Sequence, residues 1–244
     1  MIAAITAGGL VQAPFSHEIG TAVKALAPLG NGRLIDRALD AARASGASRI
    51  TVVGDAEVRA HCGERADAVI EPSEDGRANL EAALRCAGDD EALLLLTSDL
   101  PFITQNALDD FLKRIGDADI AMPIACADAY LAAYPGATEH ATTLERERIV
   151  NGSVFYFSPG TAPRAISIAR RLFAARKSLP RMAMLLDLPL MLRFVFRRLR
   201  IEHLEAYAVR VFRIRAHAVR NASPALCYDI DALDDYRYAR QVLG

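Results

Sequence analysis

The chain has 244 residues, 52% of them hydrophobic, with 29 Lys and Arg against 30 Asp and Glu. That apolar content supports a real core, and a net charge of −1 excludes a general attraction to nucleic acid. The four cysteines, Cys62, Cys86, Cys126 and Cys227, are far apart and form no Cys-x-x-Cys pair, so they read as small apolar residues of a reduced compartment, and a cytoplasmic location is expected.

In chain order, the apolar run Ile2-Ala3-Ala4-Ile5 predicts a first strand that ends in Ala7-Gly8-Gly9. It is too short, and lacks the basic flank, to serve as an export signal. Leu34 to Ala44 has helical spacing and stops near Gly46. Ile50 to Gly54 and Ala68 to Ile70 read as strands. Leu80, Ala83, Leu84 and Ala87 mark one face of a helix. Leu93 to Thr97 is apolar without alternation, as expected for a parallel strand buried on both faces. A helix over 105–115, a strand over 119–122 and a polar, irregular segment over 125–150 follow. Ser153 to Phe157 is a strand, 161–210 reads as helical, 213–219 returns as a strand, and a last helix starts near Leu233. The repeated β-α-β order predicts one α/β domain over 1–244: a three-layer, open, mostly parallel sheet with a helical insert near the C-terminus.

Several residues stand out against this frame. Asp99, just past the Leu93–Thr97 strand, falls at the carboxyl edge of the sheet, where such folds bind ligands. It either caps the following Leu100-Pro101 turn or meets a cation. Gly8 and Gly9 allow close approach to a ligand and offer backbone N–H groups. Lys24 is one of only three lysines, beside Lys113 and Lys177, in an arginine-rich chain. It is either a phosphate-binding point charge or an ordinary surface residue. Asp229 and Asp231 lie two apart on an expected strand end and would share one face, although Asp231 also suits the N-cap of the last helix. Gly76, Asn79 and the Asn151-Gly152-Ser153 stretch also fit plain turns. His61, His140, His203 and His217 show no metal-ligand spacing.

The Ala-Gly-Gly strand end, Lys24-Ala25-Leu26-Ala27-Pro28-Leu29-Gly30, Ser98-Asp99-Leu100-Pro101 and the closing Asp229-Ile230-Asp231 with Asp234-Asp235 together resemble the MobA-like NTP transferases, nucleotidyltransferases of the GT-A, Rossmann-like fold. The resemblance covers about 1–160 and returns at 225–242. It implies nucleotide binding by Ala7, Gly8, Gly9, Lys24, Gly76, Asn79 and Ser98, and catalytic roles for Lys24 and Asp99. It places the acceptor against Asn151, Gly152 and Ser153. It implies Mg2+ held by Asp99, with Asp231 favoured as second ligand and Asp229 beside it. One departure is clear: the stretch from Leu10 to Val23, where the family carries a triphosphate-gripping arginine, has no arginine or lysine.

The function so implied is magnesium-dependent transfer of a nucleotidyl group from an NTP to a small phosphorylated or sugar-like acceptor, with release of pyrophosphate. Two rivals remain at this level. One is a GT-A glycosyltransferase using an NDP-sugar, and the other is a nucleotide-binding protein that has lost catalysis through the altered loop.

Residues 164–220 hold 14 of the 29 basic residues and only three acids. Their expected role is an acceptor lid or a homodimer surface, or a solvated helical face. Asp187, Pro189 and Arg193 break the apolar stretch from Met182 to Phe196, so stable membrane insertion is not expected.

Overall fold

The computed structural model describes residues 1–175 and 187–244, with side chains for 1–171 and 187–244. The stretch 176–186, part of the expected helical insert, lies outside the described residues. Strand β1 (Ile2–Thr6) opens the chain and is followed by the short helix α1 (Phe15–Ile19), a single turn at Lys24–Leu26 and the small hairpin β2 (Pro28–Leu29) and β3 (Gly32–Arg33). Helix α2 (Leu34–Ala44), strand β4 (Ile50–Val53), helix α3 (Ala56–Cys62) and strand β5 (Ala68–Ile70) come next. Helix α4 (Gly76–Leu84) leads to β6 (Leu93–Thr97), α5 (Gln105–Lys113) and β7 (Ile120–Cys126).

The second half begins with α6 (Ala127–Ala133), β8 (Thr142–Thr143), β9 (Arg148–Asn151) and β10 (Val154–Phe157). After α7 (Ala162–Ala175), α8 (Leu188–Val195) and α9 (Ile201–Tyr207), strand β11 (Ala216–Val219) rejoins the sheet and α10 (Leu233–Leu243) ends the chain.

The main sheet runs β5-β4-β1-β6-β10-β7-β9-β8, with β11 on β7. Strands β5, β4, β1 and β6 are mutually parallel, and β10 is antiparallel to both β6 and β7. This is the expected open α/β fold. Alternation along β1 and β6 sends Ala3, Ile5, Leu94 and Leu96 to one face, with Ile35 and Leu39 of α2 and Leu108 and Phe111 of α5. It sends Ile2, Ala4, Leu93 and Leu95 to the other, with Ala83 and Leu84 of α4 and Ala165 and Ile166 of α7. Burial on both faces explains why neither strand alternates in sequence.

Three expectations change. Helix α4 runs from Gly76 to Leu84, so it takes in the Gly76–Asn79 stretch and leaves out Ala87, and Asp75 caps its start by accepting the Arg77 N–H. The 125–150 segment is not irregular: it forms α6, β8 and β9. Tyr130 and Tyr134 of this segment are buried with Tyr228 and Phe102 in an aromatic cluster, and the short elements around them are too brief to show a period. The Leu10–Val23 loop is ordered by α1, whose Phe15 and Ile19 sit four apart and enter the core, with the Phe15 and Tyr236 ring centres 5.5 Å apart.

The described part of the insert is helical, as expected. On α8 and just past it, Leu192, Phe194, Val195 and Phe196 are 44–68% exposed. Among the described residues no helix is long and apolar enough to cross a membrane.

Candidate active site

Because β1 and β6 run parallel, their carboxyl ends finish side by side, and the Ser98 N–H donates to the Thr6 carbonyl at 3.0 Å. Beyond them opens a cleft of about 780 Å³. Gly8, Gly9, Lys24, Ser98 and Asp99 line it from the strand ends and the Lys24 turn, and Gly76 and Asn79 line it from α4. Ala7 does not line it: that residue is buried in the core, and its N–H continues the ladder to the Val53 carbonyl.

Lys24 is not an ordinary surface residue. Its Nζ lies 2.5 Å from Asp99 Oδ2 and donates to the Ile230 carbonyl at 2.8 Å. The two charged side chains are only 16% and 15% exposed. The backbone fixes Lys24 as well, since its N–H donates to the Gly9 carbonyl at 3.0 Å. Asp99 does not cap a turn through its side chain. Oδ2 takes the lysine, and Oδ1 is buried with no hydrogen-bond partner.

The chain's closing segment returns to this point. The Ile230 N–H donates to the Asp99 carbonyl at 3.0 Å, which pins residues 229–231 beside the β6 end. These residues form a loop rather than a strand end, and Asp229 and Asp231 still line one small recess, with Asp229 the more buried of the two. Asp229 points inward: its Oδ2 accepts the Ser153 hydroxyl at 2.5 Å and its Oδ1 is buried without a partner. Burial, with the Asp99 charge adding to it, pushes the Asp229 carboxyl up to about 7. Asp231 is exposed, and it is not the cap of α10. That role falls to Asp235, whose carboxylate accepts the N–H groups of Asp231 at 3.1 Å and Ala232 at 2.8 Å.

Two neighbouring carboxylates, each with one buried oxygen lacking a proton donor, form a donor set that suits a hard divalent cation. Among the described residues no group of three or more His, Cys, Asp or Glu is arranged around a common point. A cation here would rest on two carboxylates and complete its shell with water and phosphate oxygens, which is the usual habit of magnesium.

The remaining sequence candidates have structural work to do. Asn79 clasps the loop before α4, its amide donating to the Ser73 carbonyl at 2.9 Å and its oxygen accepting the Ser73 N–H at 2.6 Å. Gly8 lies against this loop, and a Cβ there would come within 2.9 Å of Pro72 Cβ. Asn151-Gly152-Ser153 is no turn. It joins β9 and β10 into one bent strand along β7, with the Gly152 N–H donating to the Pro123 carbonyl and the Ser153 N–H to the Leu226 carbonyl. A Cβ at Gly152 would meet the Leu226 oxygen at 2.7 Å and Pro123 Cγ at 2.6 Å, so only glycine fits. Ser153 thereby reaches Asp229, while Asn151 stays exposed beside Asp229 and Asp231.

Sequence reading missed Asp55, Glu74 and Thr97, which also line the cleft. Asp55 caps α3, and Thr97 Oγ1 is buried without a partner. No motif marks them. Among the described residues the cleft lining thus carries one cation, Lys24, against the carboxylates of Asp55, Glu74 and Asp99. Among the described residues lining the cleft there is no arginine to replace the one missing from the Leu10–Val23 loop.

Comparisons with known proteins bear on the fold and the family. A transferase structure from Thermus thermophilus, described as hypothetical, is 26% identical over 96% of this chain and 98% of its own, with a TM-score of 0.83. The structure of CMP:2-keto-3-deoxy-manno-octonic acid synthetase complexed with CTP shares the fold at 14% identity, covering 99% of this chain and 97% of its own with a TM-score of 0.58. A Mycobacterium tuberculosis protein in complex with manganese does so at 17% identity, 98% and 97% coverage and a TM-score of 0.53. No curated protein matches the sequence. The MobA-like NTP transferase domain matches residues 3–244, nearly the whole chain, and the protein belongs to that family of nucleotidyltransferases.

Proposed function

We propose that the protein transfers a nucleotidyl group from an NTP to a small phosphorylated acceptor, releases pyrophosphate, and requires magnesium. The observation that carries this reading is that Asp99, at the head of a glycine-lined cleft with Lys24, has Asp229 beside it in the adjoining recess, each carboxylate keeping one buried, unpartnered oxygen. An acceptor oxygen forms a bond to the α-phosphorus while the bond to the bridging β-oxygen breaks, and pyrophosphate leaves with the electron pair. Such a reaction needs positioned cations rather than a protein nucleophile.

Asp99 and Asp229 would hold the magnesium, which when bound supplies charge neutralisation at the phosphates. The CTP complex and the manganese complex among the structural neighbours support a nucleotide and a divalent ion. Lys24, braced by Asp99 and the Ile230 carbonyl, would contact phosphate oxygens at the same end of the cleft, a role its position in the lining supports. Gly8 and Gly9 let the phosphates come close to the backbone. Ser153 holds Asp229 in place, and Asn79 shapes the wall formed by the loop before α4. The Leu10–Val23 loop has no arginine or lysine, so a divalent ion held by Asp99 and Asp229 would have to supply more of the neutralisation than in a cleft with an added arginine.

The test is pyrophosphate release from each of the four NTPs with magnesium and a panel of phosphorylated acceptors. Release that depends on both acceptor and magnesium is expected. Saturable NTP binding with no release under any acceptor would instead favour the impaired-binder reading, which the acidic cleft lining and arginine-free loop also fit.

A further inference from the structure

A second hollow lies on the same face of the sheet as the nucleotide cleft. It has a volume of about 300 Å³ and sits between the sheet and α9. Ile120, Met122 and Ile124 line it from alternate positions of β7, Ala216 and Ala218 from β11, and Ile201 and Leu204 from α9. Apolar side chains dominate this lining. A hollow of that kind open to water forgoes burial that closer packing would give.

Ion pairs and hydrogen bonds frame α9 against the sheet around this hollow. Arg200, its N-cap, pairs with Glu145, and Arg220 grips both Glu202 and Glu147. Glu205 accepts the Ala218 N–H at 2.9 Å and faces His217 at 3.2 Å, so its carboxylate is already engaged. The hollow is therefore framed rather than collapsed.

Its walls are shared with the reaction site. Phe155 lines both this hollow and the nucleotide cleft, and Asn151 lines both this hollow and the small recess holding Asp229 and Asp231. We infer that the hollow binds the apolar body of the acceptor, an amphiphile whose phosphate end passes Asn151 to reach Asp229. The inference rests on the reading of the cleft as a nucleotidyl-transfer site and narrows its acceptor to a phosphate carrying an alkyl or comparable apolar group. In the reaction the acceptor's phosphate oxygen bonds to the α-phosphorus and pyrophosphate departs, while the apolar body remains seated.

The experiment is a calorimetric titration, without nucleotide, of inorganic phosphate and of butyl, hexyl and octyl phosphate below their aggregation limits. The dissociation constant is expected to fall by about fourfold per added methylene while the chain remains inside the hollow. Ala218→Phe fills the hollow and Leu204→Glu charges its mouth, and both should flatten the series. A thermal melt confirms that each variant is folded, and the partly exposed Leu204 position keeps the test valid where Ala218→Phe does not fold. Equal affinity across the series in the wild type, or an unchanged slope in folded Leu204→Glu, overturns the inference. Pyrophosphate release with a short acceptor and no chain-length dependence would overturn it while leaving the transferase reading intact. Chain-length dependence with no release from any NTP would overturn the transferase reading and leave the hollow as a binding site.

Discussion

The two sides of Asp99 are built in opposite ways. The proposed nucleotide side is the roomier, and its polar groups are held at fixed points: glycines at the β1 end, a lysine fixed by three contacts, and a helix-start loop clasped by Asn79. The other side is apolar and spread out, drawing on β7, β9, β10, β11 and α9, with few charges aimed inward. The difference teaches what each ligand end demands. Phosphates need a few charges at fixed points, each of which strains or constrains the chain locally. An apolar body needs only area, which ordinary core residues supply from any distance in sequence.

Asp99→Asn breaks the comparison most sharply. Removing its charge should cut pyrophosphate release by on the order of 10³ while the far-ultraviolet circular dichroism stays native. Octyl phosphate should still bind with its chain-length dependence intact. Loss of both together would show that the two sides are one site.

Lys24→Ala comes next. Its Nζ serves Asp99 and the Ile230 carbonyl, so its removal leaves Asp99 and Asp229 without their shared cation. Affinity for di- and triphosphates should fall by about 1.5–3 kcal/mol, with nucleoside affinity unchanged, as read by titration. An equal loss for nucleoside would mean that the lysine shapes the whole cleft rather than its phosphate end.

Gly152→Ala sharpens the other side. The added Cβ meets backbone oxygens of Leu226 and Pro123 that cannot give way cheaply. A loss of about 1–3 kcal/mol in urea unfolding is expected. Ser153 should shift with it and weaken the hold on Asp229.

A smaller effect follows from protonation. Asp229 carries a carboxyl raised from 3.8 to about 7, so between those values the native state binds a proton that the unfolded chain has released. This contribution favours folding fully below about pH 4 and is lost as pH climbs through about 7. Urea midpoints measured in EDTA should therefore decline across that range, and decline less in Asp229→Asn.

Much of the candidate cleft was legible in the sequence because its lining residues cluster in short, ordered motifs. Gly8, Gly9, Lys24, Ser98 and Asp99 each belong to a strand end or the turn beside one, and all line one cleft. The parallel strands were legible from their unbroken apolar runs. What could not be read was orientation after a return of more than a hundred residues. Asp229 and Asp231 are nearly equivalent as letters, and it takes the tertiary contacts of Ile230 with Asp99, Ser153 with Asp229 and the Asp231 N–H with Asp235 to distinguish them. Asp235 took the capping role that Asp231 could have filled, since its side chain reaches back over the first turn of α10. The apolar hollow was invisible for a simpler reason: Ile120, Met122, Ile124 and Leu204 look like any core residues until a helix is held away from them. Helix α1 was hidden because a five-residue element leaves too little sequence to reveal a period.

The central claim, that Asp99 and Asp229 together form the cation-binding point of a nucleotidyl-transfer site, is tested most directly by manganese titration followed by electron paramagnetic resonance with NTP present. The wild type, Asp99→Asn, Asp229→Asn and Asp231→Asn are compared. The account predicts that Asp99→Asn and Asp229→Asn each lose about tenfold or more in manganese affinity, while the exposed Asp231 position changes it little. Loss in Asp231→Asn with wild-type affinity in Asp229→Asn would contradict it.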